Sequence, residues 1–406
     1  MSSLGIGFNR LWAASLSGNL ADGLLRTAAP LLAVSLTTDP VLISLLGAIV
    51  MLPWLFFAIP IGGIVDRVDR RKAIAISNAA RFLVAAGVAV IVSMDAMTIE
   101  LLFLGAFIIG ICEVVADTAA QAMVPQILDK SQYESGNSRL QMSETVVSQF
   151  VGAPASGFLY AAAIFLPFAA TALGFIAAAV LVLMIPINYQ RDLAQASAKS
   201  DEKFLTSLSF GLRYLYQDKK LFRLVLTTTA IGFAYSASSA VVALFMIEDL
   251  GLAPAYFGLV LTVQGVGALL GAATTTFWTK RFSRSNVLAI TILLTSINVS
   301  VTGLSSNIFM FAAITSITGY LISIWNILLM STYQDLIPNE LFGRIHGARR
   351  TLVWGMMPLG SILGGFIARI DLAAPFLVGG IGATLVALLN YRFIRTLAKA
   401  PEIIPQ

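Results

Sequence analysis

The sequence predicts an all-α membrane protein with twelve transmembrane helices in two six-helix halves. The chain is 58% hydrophobic and only 12% charged, whereas soluble proteins are about 25% charged. Its apolar residues form long continuous runs, not the alternating segments of about ten residues that build a membrane β-barrel. Because every backbone amide in lipid must be bonded within the chain, such runs predict helices.

Each run is long enough to cross a bilayer, which takes about twenty helical residues. The first six spans are predicted at 8–36, 40–65, 73–95, 99–125, 138–161 and 164–187. The second six are predicted at 221–247, 253–279, 286–305, 307–334, 347–370 and 372–396. Residues 1–10 are too short and too weakly basic for a cleaved signal peptide, so the first run is expected to remain as span one.

A polar stretch divides the chain into three parts. Residues 1–187 form the N-terminal six-helix half, and residues 221–406 form the C-terminal half with a short tail. The linker 188–220 contains, at 204–216, apolar residues at helical spacing, which predicts an amphipathic helix lying on the membrane surface.

Basic residues predict the orientation, because retained loops favour Lys and Arg on the cytoplasmic side. With twelve spans, the loops at 67–72, 130–139, 188–220, 280–284 and 344–350 and the tail fall on one side and hold nearly all the bases. The opposite loops hold acidic residues and a single base, Arg369. Both termini are therefore predicted to be cytoplasmic, and the net charge of +5 reflects topology, not a nucleic-acid partner.

The two halves carry a weak internal repeat. Residues 8–11 recur as 221–224, an offset of 213, and the same offset relates the loops that follow spans two and eight. Further on the offset shrinks by a few residues, so that Gln126 falls on Asp335 and Gly152 on Gly360. The repeat predicts two related bundles in parallel orientation.

Several classes of site are excluded by composition. One cysteine, Cys112, and one histidine, His346, rule out an internal disulfide framework and a multi-histidine metal cluster. The chain lacks a nucleophile–base–histidine set and a Walker-type glycine loop. We therefore expect no enzyme activity, no ATP-driven step, no bound metal and no other cofactor.

The loop after span two resembles a known family signature. Residues 62–72, GGIVDRVDRRK, resemble the G-x-L-A-D-R-x-G-R-R motif of the major facilitator superfamily, with Asp69 where a glycine is expected. Residues 335–338, Asp-Leu-Ile-Pro, also resemble that family, whereas Gln126 stands at the matching first-half position. The resemblance extends over essentially the whole chain and implies a substrate site between the halves near mid-membrane.

The same resemblance assigns a gating role to the loop after span two. The motif residues are Gly62, Asp66, Arg67, Arg70 and Arg71. It implies that the Asp66 carboxylate caps the positive N-terminal end of span eleven near Gly347. The alternative is a loop that only sets topology.

Features of spans one, four and five resemble the macrolide-efflux and siderophore-exporter branch of the superfamily. They are Asn19, Asp22, Glu113, Asp117, the Val-Pro at 124–125 and the Ser-Glu-Thr at 143–145. Gly152, Pro154 and Gly157 resemble a degraded antiporter motif, although close helix packing alone could place small residues there. This branch implies a drug:proton antiporter in the cytoplasmic membrane of a prokaryote.

The charged residues inside the spans lie almost wholly in the first half. A charge in hydrocarbon is costly, so each is a functional candidate; they are Asp22, Arg26, Arg81, Glu113, Asp117 and Glu144. Asp22 and Arg26 share a helix face and could pair, and Glu113 and Asp117 also share a face, where burial and mutual repulsion favour a bound proton. We expect Asp22, Glu113 and Asp117 or Glu144 to carry a coupling proton that Arg26 resets; a static ion network with Arg81 is the alternative.

The second half offers neutral polar and aromatic residues instead. The candidates for substrate binding are Phe233, Tyr235, Ser239, Gln264, Trp325 and Asn326. Such residues suit an amphipathic organic molecule, although aromatic residues in spans more often face lipid or packing partners.

The expected function is export of a lipophilic or amphipathic small molecule in exchange for protons by alternating access. The expected partners are that molecule, protons and the lipid bilayer, with the protein as a monomer. Metabolite uptake, symport or facilitated diffusion is the first alternative. Export of a metal ion through Asp22, Glu113 and Asp117 is a less favoured one.

Overall fold

The protein is a bundle of long α-helices, seen in a computed structural model that describes residues 4–65, 67–186, 204–338 and 341–397. The first-half helices are α1 (Gly5–Leu36), α2 (Pro40–Val65), α3 (Arg70–Ser93), α4 (Ile99–Ile127), α5 (Tyr133–Met142), α6 (Ala153–Ala162) and α7 (Leu166–Leu183). Those that follow are α8 (Phe204–Gln217), α9 (Lys219–Ser239), α10 (Phe257–Arg281), α11 (Arg284–Thr302), α12 (Ile308–Leu336), α13 (Phe342–Ala368) and α14 (Ala374–Thr396).

Ten helices of the described residues are long and apolar enough to cross a membrane. They confirm the all-α membrane fold but do not by themselves give twelve spans. Span one corresponds to α1, whose hydropathy is lowered by Asn19, Asp22 and Arg26. Span five corresponds to α5, a π-helical segment (Ser143–Gly152) and α6, so no single α-helix covers it.

Polar side chains fix where several helices begin. Asp69 is the N-cap of α3, and its carboxylate accepts hydrogen bonds from the backbone N–H groups of Arg71 and Lys72 at 3.0 and 3.3 Å. Asp218 caps α9 in the same way. A carboxylate at this position satisfies amides that have no partner within the helix. The residue that departs from the family signature at position 69 is therefore a helix cap.

The helices group into two compact units. Unit 1 holds the described residues of 1–38, 49–202 and 252–262, and unit 2 holds those of 39–48, 203–251 and 263–406. The first turns of α2 thus pack with unit 2, and the first turns of α10 pack with unit 1. Each unit has its own apolar core, which includes Phe8 and Val114 in unit 1 and Leu224 and Tyr333 in unit 2.

Small residues let α1 in unit 1 and α9 in unit 2 each approach a neighbouring helix closely. A Cβ on Gly152 would lie 3.1 Å from the carbonyl oxygen of Leu20 in α1, and a Cβ on Gly360 would collide with the carbonyl oxygen of Phe233 in α9. Leu20 and Phe233 are 213 residues apart, which is the offset of the sequence repeat. The two contacts are therefore equivalent, and they fix the register of the repeat in space.

Candidate functional site

A buried ion pair joins α1 to α3 in unit 1. The guanidinium of Arg81 donates to the carboxylate of Asp22, and the exposed fractions of the two side chains are 2% and 14%. Arg81 also lies over the ring of Phe175 in α7, 3.9 Å from the centroid, and donates to Asn78 Oδ1 at 3.4 Å. The pair is therefore enclosed by three helices.

A second, more open ion pair joins α1 to α4. Arg26 Nη2 lies 3.5 Å from Glu113 Oε1, with the Arg26 side chain 61% exposed and that of Glu113 15% exposed. Asp22 and Arg26 share a helix but do not pair with each other, because α3 and α4 each supply a partner of opposite charge.

The two remaining candidate acids are placed differently. Asp117 is half-buried and makes no hydrogen bond or ion pair with any residue that the structure describes, although Glu113 and Asp22 act on it electrostatically. Glu144 is exposed, and its Oε2 accepts a hydrogen bond from Gln141 at 3.3 Å. Neither acid has an ion-pair partner among the described residues, and Asp117 is the more buried of the two.

These acids do not form a metal site in the part of the chain that is described. No three His, Cys, Asp or Glu side chains there are arranged to hold one metal ion. Asp22 and Glu113 each face an arginine instead.

A polar cluster beside these pairs was only partly foreseeable from the sequence. Asn19 Nδ2 donates to Ser15 Oγ at 3.0 Å and to Ser143 Oγ at 3.3 Å, so α1 meets the start of the π-helical segment through hydrogen bonds. The indole of Trp12 donates to the Arg139 carbonyl at 3.2 Å nearby. Asn19 and Ser143 stand out in the sequence as separate family-like features, and the fold makes them neighbours.

The neutral candidates of unit 2 divide into accessible and buried residues. Gln264 Nε2 donates to the Tyr235 hydroxyl at 3.4 Å, which links α10 to α9. Ser239 and Asn326 are exposed, and Phe233 is half-buried. Trp325 instead lies in the apolar core with 9% of its surface exposed, and its indole N–H has no partner among the described residues.

The motif arginines bind carbonyl groups at the ends of neighbouring helices. Arg70 Nη1 donates to the Ala122 carbonyl of α4 at 2.8 Å, and Arg71 donates to the carbonyl of Ile185, just beyond α7. Cations are favoured at helix C-termini by the helix dipole. Arg67 is exposed, no atom lies within 4 Å of a Cβ placed on Gly62, and Asp66 lies outside the described residues.

The matching loop of unit 2 uses an ion pair in place of these carbonyl contacts. Arg284, which is 213 residues after Arg71, pairs with Asp335 at the end of α12. In the first half of the sequence, Gln126 stands at the position that corresponds to Asp335.

The antiporter-like residues of span five lie at two helix crossings. Gly152 meets α1 at Gly23, where a Cβ would be 2.9 Å from the Gly23 Cα. Gly157 meets the turn before α10, where a Cβ would be 2.5 Å from the Ala255 carbonyl oxygen. The backbone nitrogen of Pro154 lies beside Gly258 in the same crossing.

An ion pair in unit 2 ties the loop before α2 to the end of α13. Arg369 donates through Nε to Asp39 Oδ1 at 3.0 Å and through Nη2 to Asp39 Oδ2 at 2.6 Å. These hydrogen bonds hold the pKa of Asp39 below its ordinary value. Arg369 is the one base that the sequence places among the acidic loops.

The sequence of the whole chain matches a known family. The model of the family described as transmembrane secretion effector matches residues 5–405. The chain belongs to this family. It is a major facilitator transporter, as the loop motif predicts, and not an enzyme.

Similar curated proteins indicate which branch of the major facilitator superfamily the chain resembles. Macrolide efflux protein A of Streptococcus pyogenes is 25% identical over 392 residues, which is 94% of each chain. Macrolide efflux protein A of Enterococcus faecalis is 26% identical over 326 residues, covering 78% of this chain and 97% of the relative. The resemblance to macrolide-efflux transporters is confirmed.

Solved structures share the fold at low sequence identity. The nucleoside transporter NupG matches with a TM-score of 0.75 at 14% identity, over 97% of this chain and all of NupG. A bacterial homologue of the iron transporter ferroportin, in an inward-facing state, also gives 0.75 at 14% identity, over 96% of this chain and all of the homologue. These matches confirm the major facilitator fold.

Proposed function

We propose that this transporter exports a lipophilic or amphipathic small molecule, such as a macrolide, in exchange for protons by alternating access. The observation that carries the proposal is the unequal distribution of ionisable groups. Unit 1 holds Asp22, Glu113 and Asp117 on two neighbouring helices, whereas the candidates of unit 2 are uncharged.

Within unit 1 the exchangeable proton is assigned to Asp117. Asp22 is paired with the buried Arg81, and Glu113 is paired with Arg26, so each of these two acids already has a cation of its own. Asp117 has no ion-pair partner among the described residues, and the charges of Glu113, Asp22, Arg81 and Glu144 act on it from a greater distance. We therefore infer that this carboxyl group is the one that takes up and releases the proton.

The Arg26–Glu113 ion pair provides a way to reset the proton-carrying carboxyl group after each transport cycle. Arg26 is 61% exposed and 3.5 Å from Glu113, so its guanidinium keeps donors free for another carboxylate. Asp117 lies one helical turn from Glu113. Once it has lost its proton, its carboxylate attracts Arg26 as Glu113 does. Release of the proton and movement of Arg26 are therefore coupled.

Unit 2 supplies the contacts suited to cargo. The Tyr235–Gln264 pair offers a hydroxyl and an amide, and Asn326 and Ser239 are exposed. Pockets for amphipathic molecules combine mostly apolar walls with a few polar groups. The bacterial relatives support a cytoplasmic membrane location, and the basic loops support cytoplasmic termini.

The test is macrolide transport by the purified protein in vesicles, with and without an imposed pH gradient. The unchanged protein should concentrate macrolide only when the gradient is present. Asp117→Asn should lower gradient-driven accumulation at least about tenfold while macrolide binding persists, because only the proton carrier is lost.

Glu100→Gln is the matched control, since Glu100 lies in the same helix but is exposed in its first turn. It should transport like the unchanged protein. Accumulation that is independent of the gradient, or an Asp117→Asn variant that is indistinguishable from Glu100→Gln, would refute the proposal.

A further inference from the structure

A cavity lies where α8 joins α9 in unit 2. Its volume is about 540 Å³, and it is lined by Tyr214, Gln217, Asp218, Lys219 and Lys220. A cavity of this size can hold a small molecule or the headgroup of a lipid. The two ammonium groups and the glutamine amide are hydrogen-bond donors, which suit a ligand rich in oxygen atoms.

The charges of the cavity favour an anion. Lys219 and Lys220 are both exposed, so water or a ligand can reach them. The one carboxylate of the lining, that of Asp218, caps α9 and accepts hydrogen bonds from the backbone N–H groups of Lys220 and Leu221 at 2.9 and 3.0 Å. The lining therefore has two cations against one anion, and that anion is held by the backbone.

Two faces of α8 place this helix between protein and lipid. Gly211 and Leu215 are buried, and Leu215, with 1% of its surface exposed, belongs to the apolar core of unit 2. Successive residues of an α-helix are about 100° apart, so Leu212 and Tyr216 form the next face. These two side chains are 36% and 73% exposed. A helix with such an exposed apolar face is suited to the boundary of a bilayer.

The next face of α8 is polar and leads into the cavity. Arg213 and Gln217 lie about another 100° around the helix, and both are exposed. Gln217 is itself part of the cavity wall. The cavity thus adjoins an apolar face on one side and a polar face on the other.

An aromatic contact indicates the depth of the cavity in the membrane. The ring of Tyr216 meets the ring of Phe222 edge-on, with centroids 5.5 Å apart and planes at 74°. Phe222 lies in the first turn of α9, which begins one of the helices able to cross a membrane. Tyrosine is enriched at the level of lipid headgroups. Lys219 and Lys220, in the same turn, therefore lie at that level too.

We propose that this cavity binds the headgroup of an anionic phospholipid. Lys219 and Lys220 hold the phosphate, Gln217 donates a further hydrogen bond, and an acyl chain lies along Leu212 and Tyr216. Because α8 packs against α13 as well as α9, the bound lipid ties this part of unit 2 to the bilayer. The site depends neither on the identity of the cargo nor on proton exchange.

The position of the apolar face favours a lipid over a soluble phosphate. A soluble anion would contact the lysines but would gain nothing from Leu212 and Tyr216, whereas a lipid uses both. Each lysine near an anionic membrane surface strengthens binding by about fivefold. The loss of both lysines should therefore weaken lipid binding by at least about tenfold.

The test is binding of dioctanoyl phosphatidylglycerol to the purified protein in a neutral detergent, measured by titration calorimetry. This lipid should bind at least about tenfold more tightly than dioctanoyl phosphatidylcholine, which has the same chains and no net charge. The double variant Lys219→Gln with Lys220→Gln should lose at least about tenfold in affinity for phosphatidylglycerol.

The matched control is Lys280→Gln with Arg281→Gln, which removes two exposed bases from the end of α10 in the same unit. It should bind phosphatidylglycerol like the unchanged protein. Tyr216→Ser should weaken binding by about threefold or more because apolar contact area is lost, and Tyr216→Phe should not. Melting temperatures without lipid should stay close to that of the unchanged protein in all four variants, because the replaced side chains are exposed.

Three results would overturn the inference. They are equal binding of the two lipids, equal losses in the two double variants, and displacement of phosphatidylglycerol by glycerol phosphate together with unchanged binding in Tyr216→Ser. The last result would make the cavity a site for a soluble anion. The calorimetric readout contains no cargo and no proton gradient, so failure of the proposed transport function would leave it unaffected.

Discussion

Arg81 determines much of the chemistry of unit 1. Its side chain is 2% exposed and lies between the Asp22 carboxylate and the Phe175 ring. A buried charge is tolerated only with a partner, and removing one member of such a pair leaves the other uncompensated. Arg81 is therefore as important for folding as for any effect on protons.

Replacing Arg81 with Gln should lower the free energy of unfolding by about 3–5 kcal/mol, because Asp22 would be left buried without its cation. Thermal unfolding in detergent measures the loss. Arg26→Gln is the control, since an arginine that is 61% exposed should contribute less than about 1 kcal/mol. Equal losses in the two variants would contradict the assignment of Asp22 to Arg81.

The Asp39–Arg369 pair predicts a dependence of stability on pH. Its hydrogen bonds lower the pKa of Asp39 in the folded protein. The pair therefore stabilises fully above the unfolded-state pKa of about 3.9 and loses its contribution as the pH falls through the lower, folded-state value.

Asp39→Asn should therefore destabilise the protein at pH 7 by less than about 1 kcal/mol, because both side chains are partly exposed. The difference from the unchanged protein should shrink as the pH is lowered below about 4. Melting temperatures of both proteins across this range measure it. A difference that grows on acidification would contradict the role of the pair.

At the residue scale, sequence predicts which groups are present but not which of them meet. The charges inside the spans were all evident, since any charge in an apolar run is conspicuous. The i, i+4 spacing of Asp22 and Arg26 suggested a pair, yet α3 and α4 each supply a partner from 59 and 87 residues further along. Partners so distant in sequence follow only from the packing of helices.

At the scale of helices, glycines set the distance between neighbours. Gly152 and Gly360 occupy equivalent crossings in the two units, although the residues around them differ. The sequence motif marked the first of these crossings. It did not predict the π-helical segment before it, because an apolar run looks the same whether its residues are α-helical or π-helical.

Gly152→Ala and Gly360→Ala should each destabilise the protein by about 1–3 kcal/mol, because the new methyl group meets backbone atoms that cannot move aside. Gly382→Ala has open space around its Cβ and should instead gain up to about 1 kcal/mol from helix propensity. Chemical unfolding of the three variants compares them. Three variants with the same sign would contradict the assigned crossings.

At the scale of the whole molecule, the fold was predictable and the position of each working group was not. Apolar runs, basic loops and one loop motif were enough to predict a major facilitator transporter, because the bilayer restricts the structures available to a chain. Only the three-dimensional structure shows which of the ionisable residues of α1, α3 and α4 pair with one another. Unit 1 holds the ionisable candidates and unit 2 the neutral ones, and this unequal distribution is the basis for the proposed exchange of protons for cargo.

Proton movement caused by the cargo tests that exchange most directly. The protein is reconstituted in vesicles with a pH indicator inside, no pH gradient is imposed, and a macrolide gradient is applied. The proposal predicts that protons move opposite to the macrolide and that Asp117→Asn abolishes this movement while macrolide binding persists. Macrolide movement without any proton movement, or an unchanged proton signal in Asp117→Asn, would contradict it.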